Sequence, residues 1–368
     1  MNIAIFSPNQ NPYSETFIQA QKNFLKGNVF YYYGYLGLIE LEGFKSLVPK
    51  TSLWRYRIIR NLKNYPTHYI NEKAVLNSLK KQAIDVILVE YGTHAFNLLN
   101  LLKSAGLPLV VHFHGSDASV RDVINRCRNY KEVFDLATYV IAVSRKMEQM
   151  LLDLGCQSEK LIYNACAAHP EFEALVPKFS KKQFIGMGRF IDKKAPYYTI
   201  MAFKEVIKKY PDAKLLLAGK GMLINTCYNL VRQFGLEAQV EFLGVIKPED
   251  FRKLLSESLA FVQHSITAKN GDMEGTPVSV LEASVSGLPV ISTEHAGIPD
   301  VIKHGETGLL CKEHDVEDMA QNMIRLLDDV TYAQQLGAAG KQFILKHFSM
   351  QLHIKKLQTV IEDASKIY

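Results

Sequence analysis

Short, largely apolar runs alternate with longer amphipathic stretches along almost the whole chain, and this alternation constrains the fold most strongly. Segments such as D-V-I-L-V-E and K-L-L-L-A-G are expected for strands that are covered on both faces in a parallel sheet. Because strands that alternate with helices build doubly wound domains, the pattern predicts an α/β fold. The predicted strands are 2–6, 29–33, 84–90, 108–113, 138–143, 183–187, 214–218, 239–243, 259–263, 288–292 and 308–311.

The length of 368 residues predicts two such Rossmann-like domains, each large enough to bury its own core. The periodicity breaks near 165–182, a segment that contains two prolines. We therefore predict domains over 1–170 and 171–348, followed by a helix within 349–368. Ligands of open α/β sheets bind beyond the carboxyl ends of the strands, so the two domains are expected to face a central cleft.

The composition is that of an ordinary globular protein, with 48% hydrophobic and 22% charged residues. Five cysteines, odd in number and without C-x-x-C spacing, favour a reduced cytoplasm over a disulfide framework or a zinc site. The start M-N-I-A-I-F-S-P is expected to be a first strand rather than a signal peptide. Because no apolar run approaches the roughly 18–20 residues that span a bilayer, a soluble or peripheral protein is predicted.

Positive charge is concentrated in residues 45–81, which contain nine Lys and Arg residues against one acid. Within this segment Trp54, Ile58, Leu62 and Tyr65 fall on one helical face with basic residues around it. Such a helix suits an anionic membrane surface. A core helix with a solvated basic face remains an equally open interpretation. Nucleic acid is less favoured, because no RNA or DNA module accompanies the basic segment.

Two carboxylates, Glu274 and Glu282, stand around a predicted helix start with seven residues between them. Thr276 is a good N-cap and Pro277 suits the first helical position, so Glu274 should lie in the loop and Glu282 inside the first two turns. A helix N-terminus suits a phosphate, and a carboxylate can accept hydrogen bonds from a sugar diol. The alternative for Glu282 is a solvated surface position. The combination indicates a nucleotide-sugar pocket.

The same segment, in which E-x₇-E precedes A-S-V-S-G-L-P-V-I-S-T and H-A-G-I-P-D-V-I, resembles the signature of the family-four retaining glycosyltransferases. The resemblance implies a GT-B fold in which the terminal helix returns to the N-terminal, acceptor-side domain. It also implies a hexosyltransferase that uses a UDP- or GDP-type sugar donor with no required metal or other cofactor. Glu274 would then bind hydroxyls of the donor sugar and Glu282 those of the ribose. The residues expected around the donor phosphates are Gly275, Thr276, Pro277 and Val278.

A second motif, G-R-x₄-K, follows the strand predicted at 183–187. Gly188 lets the backbone turn, and Arg189 and Lys194 supply two cations of the kind that a departing diphosphate requires. Solvated lysines in an ordinary turn are the alternative, and the neighbouring Lys193 fits the spacing less well than Lys194. In the resembled family this position holds the phosphate-binding pair, and a strand end such as Gly244-Val245 meets the nucleobase.

In the first domain, the strand predicted at 108–113 is followed by candidate polar residues. His112 and His114 lie on one face, but no third ligand of suitable spacing indicates a metal site. The resemblance favours His114 as a contact of the donor sugar near its reacting carbon. The alternative is a structural histidine at a strand end. Ser116 or Asp117 is expected to cap the next helix.

The loop after the first strand departs from the glycine-rich pattern of most family members. Its sequence resembles the S-E-T-F-I variant of enzymes that build cell-surface polysaccharides, so Ser14, Glu15 and Thr16 are candidate acceptor-side residues. Ser14 and Thr16 could equally cap a helix. The expected acceptor is a glycan or a lipid-linked glycan.

Three other functions are alternatives to this prediction. A glycoside hydrolase also needs paired carboxylates, but it has no use for Arg189 and Lys194. A sugar-nucleotide epimerase of similar fold and a non-catalytic nucleotide-sugar-binding protein are the remaining alternatives. ATPase and NAD-dependent functions lack their own glycine motifs in this chain.

Overall fold

The computed structural model describes residues 1–10, 16–44, 46–48 and 53–367. Strands and helices alternate through these residues, as the apolar runs predict. The strands are β1 (Asn2–Ser7), β2 (Asn28–Tyr33), β3 (Glu40–Leu41), β4 (Val86–Glu90), β5 (Leu109–Phe113), β6 (Tyr139–Ala142), β7 (Leu161–Tyr163), β8 (Gln183–Met187), β9 (Lys214–Ala218), β10 (Val240–Gly244), β11 (Ala260–Val262), β12 (Val290–Thr293) and β13 (Leu309–Cys311).

The helices range from a single turn to five turns. They are α1 (Thr16–Phe24), α2 (Leu53–Leu62), α3 (Tyr69–Lys81), α4 (Gly92–Asn97), α5 (Leu99–Ala105), α6 (Ser116–Ser119), α7 (Arg121–Arg126), α8 (Lys131–Leu136), α9 (Arg145–Asp153), α10 (Pro196–Lys209), α11 (Ile224–Phe234), α12 (Pro248–Glu257), α13 (Val278–Val285), α14 (Ile298–Val301), α15 (Val316–Asp328), α16 (Val330–His347) and α17 (Met350–Ser365).

The chain divides into two compact units. The first comprises Met1–Val143, Met147–Asn164 and the residues from Ile354 onward, and the second comprises Ser144–Lys146 and Ala165–His353. Within the first unit, the backbone N–H of Lys26 donates to the side chain of Gln358 on α17. The domain boundaries predicted at 170/171 and 348/349 stay predictions.

Each unit is built on a largely parallel sheet. In the described residues the first sheet has the order β3-β2-β1-β4-β5-β6-β7 and the second has the order β10-β9-β8-β11-β12-β13. The pair β2–β3 is antiparallel, and the other strand pairs are parallel. Every residue of β4 and β5 is buried, because helices cover both faces of such a sheet. The predicted α/β class with two Rossmann-like domains is confirmed.

The predicted strands agree with the observed ones to within two residues at each end. Two strands were not predicted, β3 and β7, which have two and three residues. Strands this short contain less than two periods of alternation, so neither leaves a pattern that can be separated from loop sequence.

The strand orders fix where a ligand can bind. In the first sheet the order changes direction between β1 and β4, and in the second it does so between β8 and β11. Ligands of open α/β sheets bind outside the carboxyl ends of the strands at such a switch point. The residues that follow β8 and β11, and those that follow β1 and β4, are therefore placed at the two candidate binding edges.

Candidate functional site

Lys194 stands at the switch point of the second sheet. It ends a single 3₁₀ turn, Asp192–Lys194, just before α10. Its ammonium nitrogen lies 2.9 Å from Oε1 of Glu274, and it donates a hydrogen bond to Oε1 of Gln263, 3.3 Å away in the residue that follows β11. Residues from two strand ends and one loop thus meet at a single ammonium group.

Gly188 provides the space for this lysine. A Cβ atom at Gly188 would lie 2.9 Å from Cδ of Lys194, so a side chain at this position would displace the lysine stem. Glycine at 188 leaves room for the Lys194 stem, which differs from the predicted role of turning the backbone. A pocket lined by Gly188, Arg189, Lys194 and Gln263 opens beside it.

Arg189 and Lys193 have different environments. Arg189 is exposed on the turn after β8, so its guanidinium can reach a ligand. Lys193 is buried and donates to Oδ1 of Asp272 and to the carbonyl of Met273, both at 2.9 Å. The structure therefore places Lys193 as an anchor of the loop before α13 and leaves Lys194 in the pocket, as the spacing predicted.

Glu274 and Glu282 are both buried, at 8% and 6% exposure, but their electrostatic environments are opposite. Burial opposes ionisation of Glu274, yet the Lys194 ammonium overcomes it and lowers the pKa of Glu274 to about 2. Burial alone raises the pKa of Glu282 to about 8. A solvated position for Glu282, the alternative weighed from the sequence, is wrong.

Helix α13 begins at Val278, and Pro277 with φ −64° and ψ 117° occupies the N-cap position. The prediction that Thr276 caps this helix is wrong, because no side chain caps the N-terminus of α13. Thr276 is buried in the loop before it, next to Gly275. The carbonyl of Gly275 accepts a hydrogen bond from Gly297 at 3.1 Å.

His295 contacts the Glu274 loop directly and was not predicted as a site residue. Its Nε2 accepts a hydrogen bond from the backbone N–H of Glu274 at 3.1 Å, and its Nδ1 lies 2.6 Å from Oε1 of Glu313. The signal that could have found it is the H-A-G-I-P segment, in which a histidine precedes a glycine at the end of a predicted strand.

Three glycines bring the neighbouring strand ends close together. The N–H of Gly219 donates to the carbonyl of Gly244 at 2.7 Å, and a Cβ atom at Gly219 would lie 1.9 Å from the carbonyl oxygen of Gly188. Gly244 has a φ of +65°, and Val245 beyond it is 50% exposed. The predicted nucleobase loop is thus on the same sheet edge as Lys194.

In the first unit, His114 follows β5, the strand next to the switch point, and lies beside Glu90, a residue that the sequence did not indicate. Nε2 of His114 is 2.5 Å from Oε2 of Glu90, which ends β4, and Nδ1 of His112 is 3.6 Å from the same oxygen. The ligand atoms of these three residues all lie within 4.8 Å of one another, a set that could hold a metal ion. The expectation that no third ligand accompanies the two histidines is wrong, because Glu90 comes from the adjacent strand.

The loop after β5 is held by Asp117. Its carboxylate accepts hydrogen bonds from the backbone N–H groups of Gly92, His114 and Gly115 at 2.9–3.1 Å. Gly115 is the residue that precedes α6, and no side chain caps that helix, so the predicted cap at Ser116 or Asp117 is wrong. Asp117 instead ties the loop that carries His114 to the start of α4.

The acceptor-side residues are only partly described. Thr16 is exposed and begins α1, and the ring of the following Phe17 lies 4.5 Å from that of His114. Ser14 and Glu15 lie outside the described residues.

Among the described residues, no helix combines the length and the apolar character needed to cross a bilayer.

Comparison with known proteins gives the same family over both units. Residues 170–343 match the family model described as glycosyl transferases group 1, and residues 43–166 match glycosyltransferase family 4. The N-acetyl-alpha-D-glucosaminyl L-malate synthase of Bacillus anthracis is 31% identical over 77% of this chain and 76% of its own. The amylovoran biosynthesis glycosyltransferase AmsK of Erwinia amylovora is 28% identical over 78% of this chain and 73% of its own.

Solved structures show the same fold. HepE of Anabaena, in complex with UDP-glucose, has a TM-score of 0.77 at 14% identity and covers 99% of this chain and 100% of its own. The sucrose-phosphate synthase of Thermosynechococcus elongatus has a TM-score of 0.76 at 17% identity, with 100% coverage of both chains.

The two parallel-sheet Rossmann-like units, with charged side chains at the switch point of each sheet, have the GT-B fold of the solved glycosyltransferases. The chain belongs to the family-four glycosyltransferases, as the two family models and the Bacillus anthracis relative together show. The predicted resemblance is therefore confirmed. None of the relatives named above supports the alternative of a sugar-nucleotide epimerase.

The raised pKa of Glu282 predicts how stability depends on pH. Between pH 4.5, the ordinary pKa of a glutamate, and about 8, its pKa in the folded protein, Glu282 is protonated when folded and ionised when unfolded. Folding in this range therefore takes up a proton. Stability should therefore fall as pH rises through this range, by at most about 1.4 kcal/mol per pH unit. Glu282→Gln should remove this loss.

Urea unfolding of the nucleotide-free protein at pH 5, 6, 7 and 8 measures the difference. The advantage of Glu282→Gln over the natural chain should grow with pH and level off above about pH 8. Glu294→Gln, at an exposed position, is the control. The difference in its free energy of unfolding from that of the natural chain should stay constant with pH. A constant difference between Glu282→Gln and the natural chain would contradict the assignment.

Proposed function

We infer that the protein is a retaining hexosyltransferase that moves a sugar from a nucleoside-diphosphate sugar to a glycan or lipid-linked acceptor in cell-surface polysaccharide synthesis. The observation that carries the proposal is the buried Lys194–Glu274 pair at the loop before α13, with Glu282 inside that helix. The relatives support the pathway, since AmsK is named for amylovoran biosynthesis. A relative in Escherichia coli, 26% identical over 65% of this chain and 60% of its own, is named as a putative colanic acid biosynthesis enzyme.

The proposed roles at the diphosphate follow from charge and access. Negative charge grows on the leaving diphosphate, so fixed cations beside it lower the barrier. Arg189 can grip a phosphate through two N–H groups, while Lys194 acts as a mobile point charge. The two cations take the place that a metal ion has in other sugar transferases. The backbone around Gly275 contributes N–H donors, whereas Pro277 has none to give.

The two carboxylates are proposed to bind the two sugar rings of the donor, Glu274 the transferred sugar and Glu282 the ribose. Glu274 is ionised, so it can accept hydrogen bonds from two donor-sugar hydroxyls once Lys194 turns toward the diphosphate. Glu282 is a buried carboxyl that can accept from, or donate to, the ribose diol. UDP is the first base to test, because the Anabaena neighbour was solved with UDP-glucose.

The proposed reaction is a front-face displacement that retains the anomeric configuration. The bond between the anomeric carbon and the diphosphate oxygen breaks, and the acceptor oxygen bonds to the same face of that carbon. The acceptor proton passes to the leaving phosphate oxygen, so a side-chain nucleophile is not required. His114, held by Glu90 in the first unit, is the proposed contact of the donor sugar near the reacting carbon.

Removal of either cation should slow transfer without unfolding the protein. We expect Arg189→Ala and Lys194→Ala each to lower kcat by about 10²–10³-fold, since each removes one cation that stabilises the leaving diphosphate. Donor turnover, measured as nucleotide release in the presence of EDTA, tests both the cations and the absence of a required metal. Lys220→Ala is a surface control on the same sheet edge. A double variant with natural turnover would overturn these roles.

The division of the carboxylates predicts two different losses. Glu282→Ala should weaken binding of the free nucleotide by roughly 2–4 kcal/mol, at about 1–2 for each lost hydrogen bond. Glu274→Ala should leave that affinity nearly unchanged and mainly lower kcat. Calorimetry with UDP and GDP, followed by turnover of the matching sugar donor, separates the two. Equal nucleotide affinity in both variants and the natural chain would leave Glu282 without its role.

The second part of the proposal places the enzyme at the cytoplasmic face of an anionic membrane. None of the residues of α2, all of which are described, is buried, and Trp54, Ile58 and Leu62 are 63%, 48% and 81% exposed. A helix that buries this apolar face in the core, the alternative weighed from the sequence, does not fit these exposures. Tyr65 lies beyond the helix and stacks on Tyr69 at 4.4 Å.

Binding to anionic vesicles tests this placement. Each Lys or Arg near the surface contributes about 1 kcal/mol, within a Debye length. The natural chain should therefore sediment with vesicles that contain phosphatidylserine, less so as salt rises, and less again when Arg55, Arg57 and Arg60 are changed to Glu. Neutral phosphatidylcholine vesicles are the control. If the natural chain does not sediment with anionic vesicles at low salt, a soluble acceptor becomes the better proposal.

A further inference from the structure

The loop that carries Glu274 is fixed at three points within the second unit. Lys193 holds Asp272 and Met273, and Gly297 donates to the carbonyl of Gly275. A Cβ atom at Gly297 would lie 2.2 Å from that oxygen, so only glycine permits this approach. The third point is His295, which accepts from the backbone N–H of Glu274 itself at 3.1 Å.

The contacts of His295 determine where its proton lies. A backbone N–H can only donate, so Nε2 of His295 must present its lone pair to Glu274. The proton of the neutral ring is then on Nδ1, 2.6 Å from Oε1 of Glu313. The side chain of His295 is fully buried, so water does not compete for either nitrogen.

Glu313 is held as an acceptor for this proton. Its two oxygens accept from the backbone N–H of Thr267 at 2.8 Å and from the Thr267 hydroxyl at 3.2 Å. Burial opposes ionisation, but the hydrogen bonds from Thr267 and His295 keep the pKa of Glu313 below its ordinary value. A carboxylate that accepts a hydrogen bond at Nδ1 selects the Nδ1–H tautomer of its histidine partner.

We propose that His295, held in its Nδ1–H tautomer by Glu313, is a positioning residue that keeps Glu274 where it binds the donor sugar. The proposal rests on the proposed function, because it takes Glu274 as the contact of the donor sugar. Lys193 and Gly297 fix the residues on either side of Glu274, whereas His295 fixes its own backbone. Loss of this bond should therefore move the carboxylate without unfolding the unit.

A single amide substitution tests the tautomer. In Glu313→Gln the side-chain oxygen accepts from the backbone N–H of Thr267, because that N–H can only donate. The NH₂ group then faces Nδ1 of His295. The ring must then accept at Nδ1 and carry its proton on Nε2, against the N–H of Glu274. Nitrogen NMR of the full chain with labelled histidine reports the tautomer, and the His295→Gln variant assigns the signal.

Two substitutions at His295 separate its two contacts. The amide of Asn can replace Nδ1 and keep the contact with Glu313, whereas the oxygen of Gln can replace Nε2 and keep the contact with Glu274. We expect His295→Asn and Glu313→Gln to lower kcat for release of UDP from UDP-glucose by about 10–100-fold. His295→Gln should retain most of the turnover, and affinity for free UDP should change less than kcat in all three variants.

His304→Gln is the control. Nδ1 of His304 also accepts a backbone N–H, that of Leu310 on β13 at 3.0 Å. This variant loses the same kind of bond outside the Glu274 loop and its anchors, so it should change stability with little change in kcat. If His295→Gln is no more active than His295→Asn, or if Glu313→Gln keeps the Nδ1–H tautomer, the proposal is overturned.

The tautomer measurement also separates this proposal from the proposed function. If the natural chain releases nucleotide from none of UDP-glucose, UDP-galactose and GDP-mannose, the proposed function fails, whatever the tautomer. If it does release nucleotide and the tautomer is Nε2–H, the inference about His295 alone fails.

Discussion

The ion pair between Lys194 and Glu274 is the interaction on which the candidate site depends. Removing two charges from water costs several kcal/mol for each ion, and their attraction offsets this only when other hydrogen bonds complete the pair. Gln263 accepts from Lys194, and the loop of Glu274 is anchored at Lys193, His295 and Gly297. These neighbours are needed because a loose buried pair would destabilise the fold that carries it.

The two carboxylates show how environment, and not residue type, assigns a role. Glu274 has a buried cation at 2.9 Å, whereas burial alone determines the pKa of Glu282. Their pKa values are therefore moved in opposite directions, to about 2 and about 8. Pairs of titratable groups whose environments separate their pKa values are typical of functional sites. Glu274 is therefore held in its charged form, whereas burial favours the neutral form of Glu282.

In both units, the side chains of the candidate site lie at the carboxyl ends of adjacent parallel strands, although the side chains themselves differ. At the switch point of the second sheet, β8 and β11 place Lys194 beside Gln263. In the first sheet β4 ends at the switch point, and Glu90 at its end lies beside His114, which follows the neighbouring β5. Asp117 fixes the loop of His114 through backbone N–H groups, as His295 fixes the loop of Glu274. In both units the side chain proposed to meet the donor is therefore held by its backbone as well as by a charged partner.

The sequence by itself determined the class of the fold and the positions of the longer strands. Apolar runs located the longer strands because burial on both faces requires them, and helical spacing placed Glu282 inside α13. Tertiary structure alone decided which groups meet: Lys194 with Glu274, Glu90 with His114, and His295 with Glu313. It also replaced the predicted cap at Thr276 by Pro277. Periodicity reports whether a side chain is buried, whereas its partner is set by the order in which distant strands join the sheet.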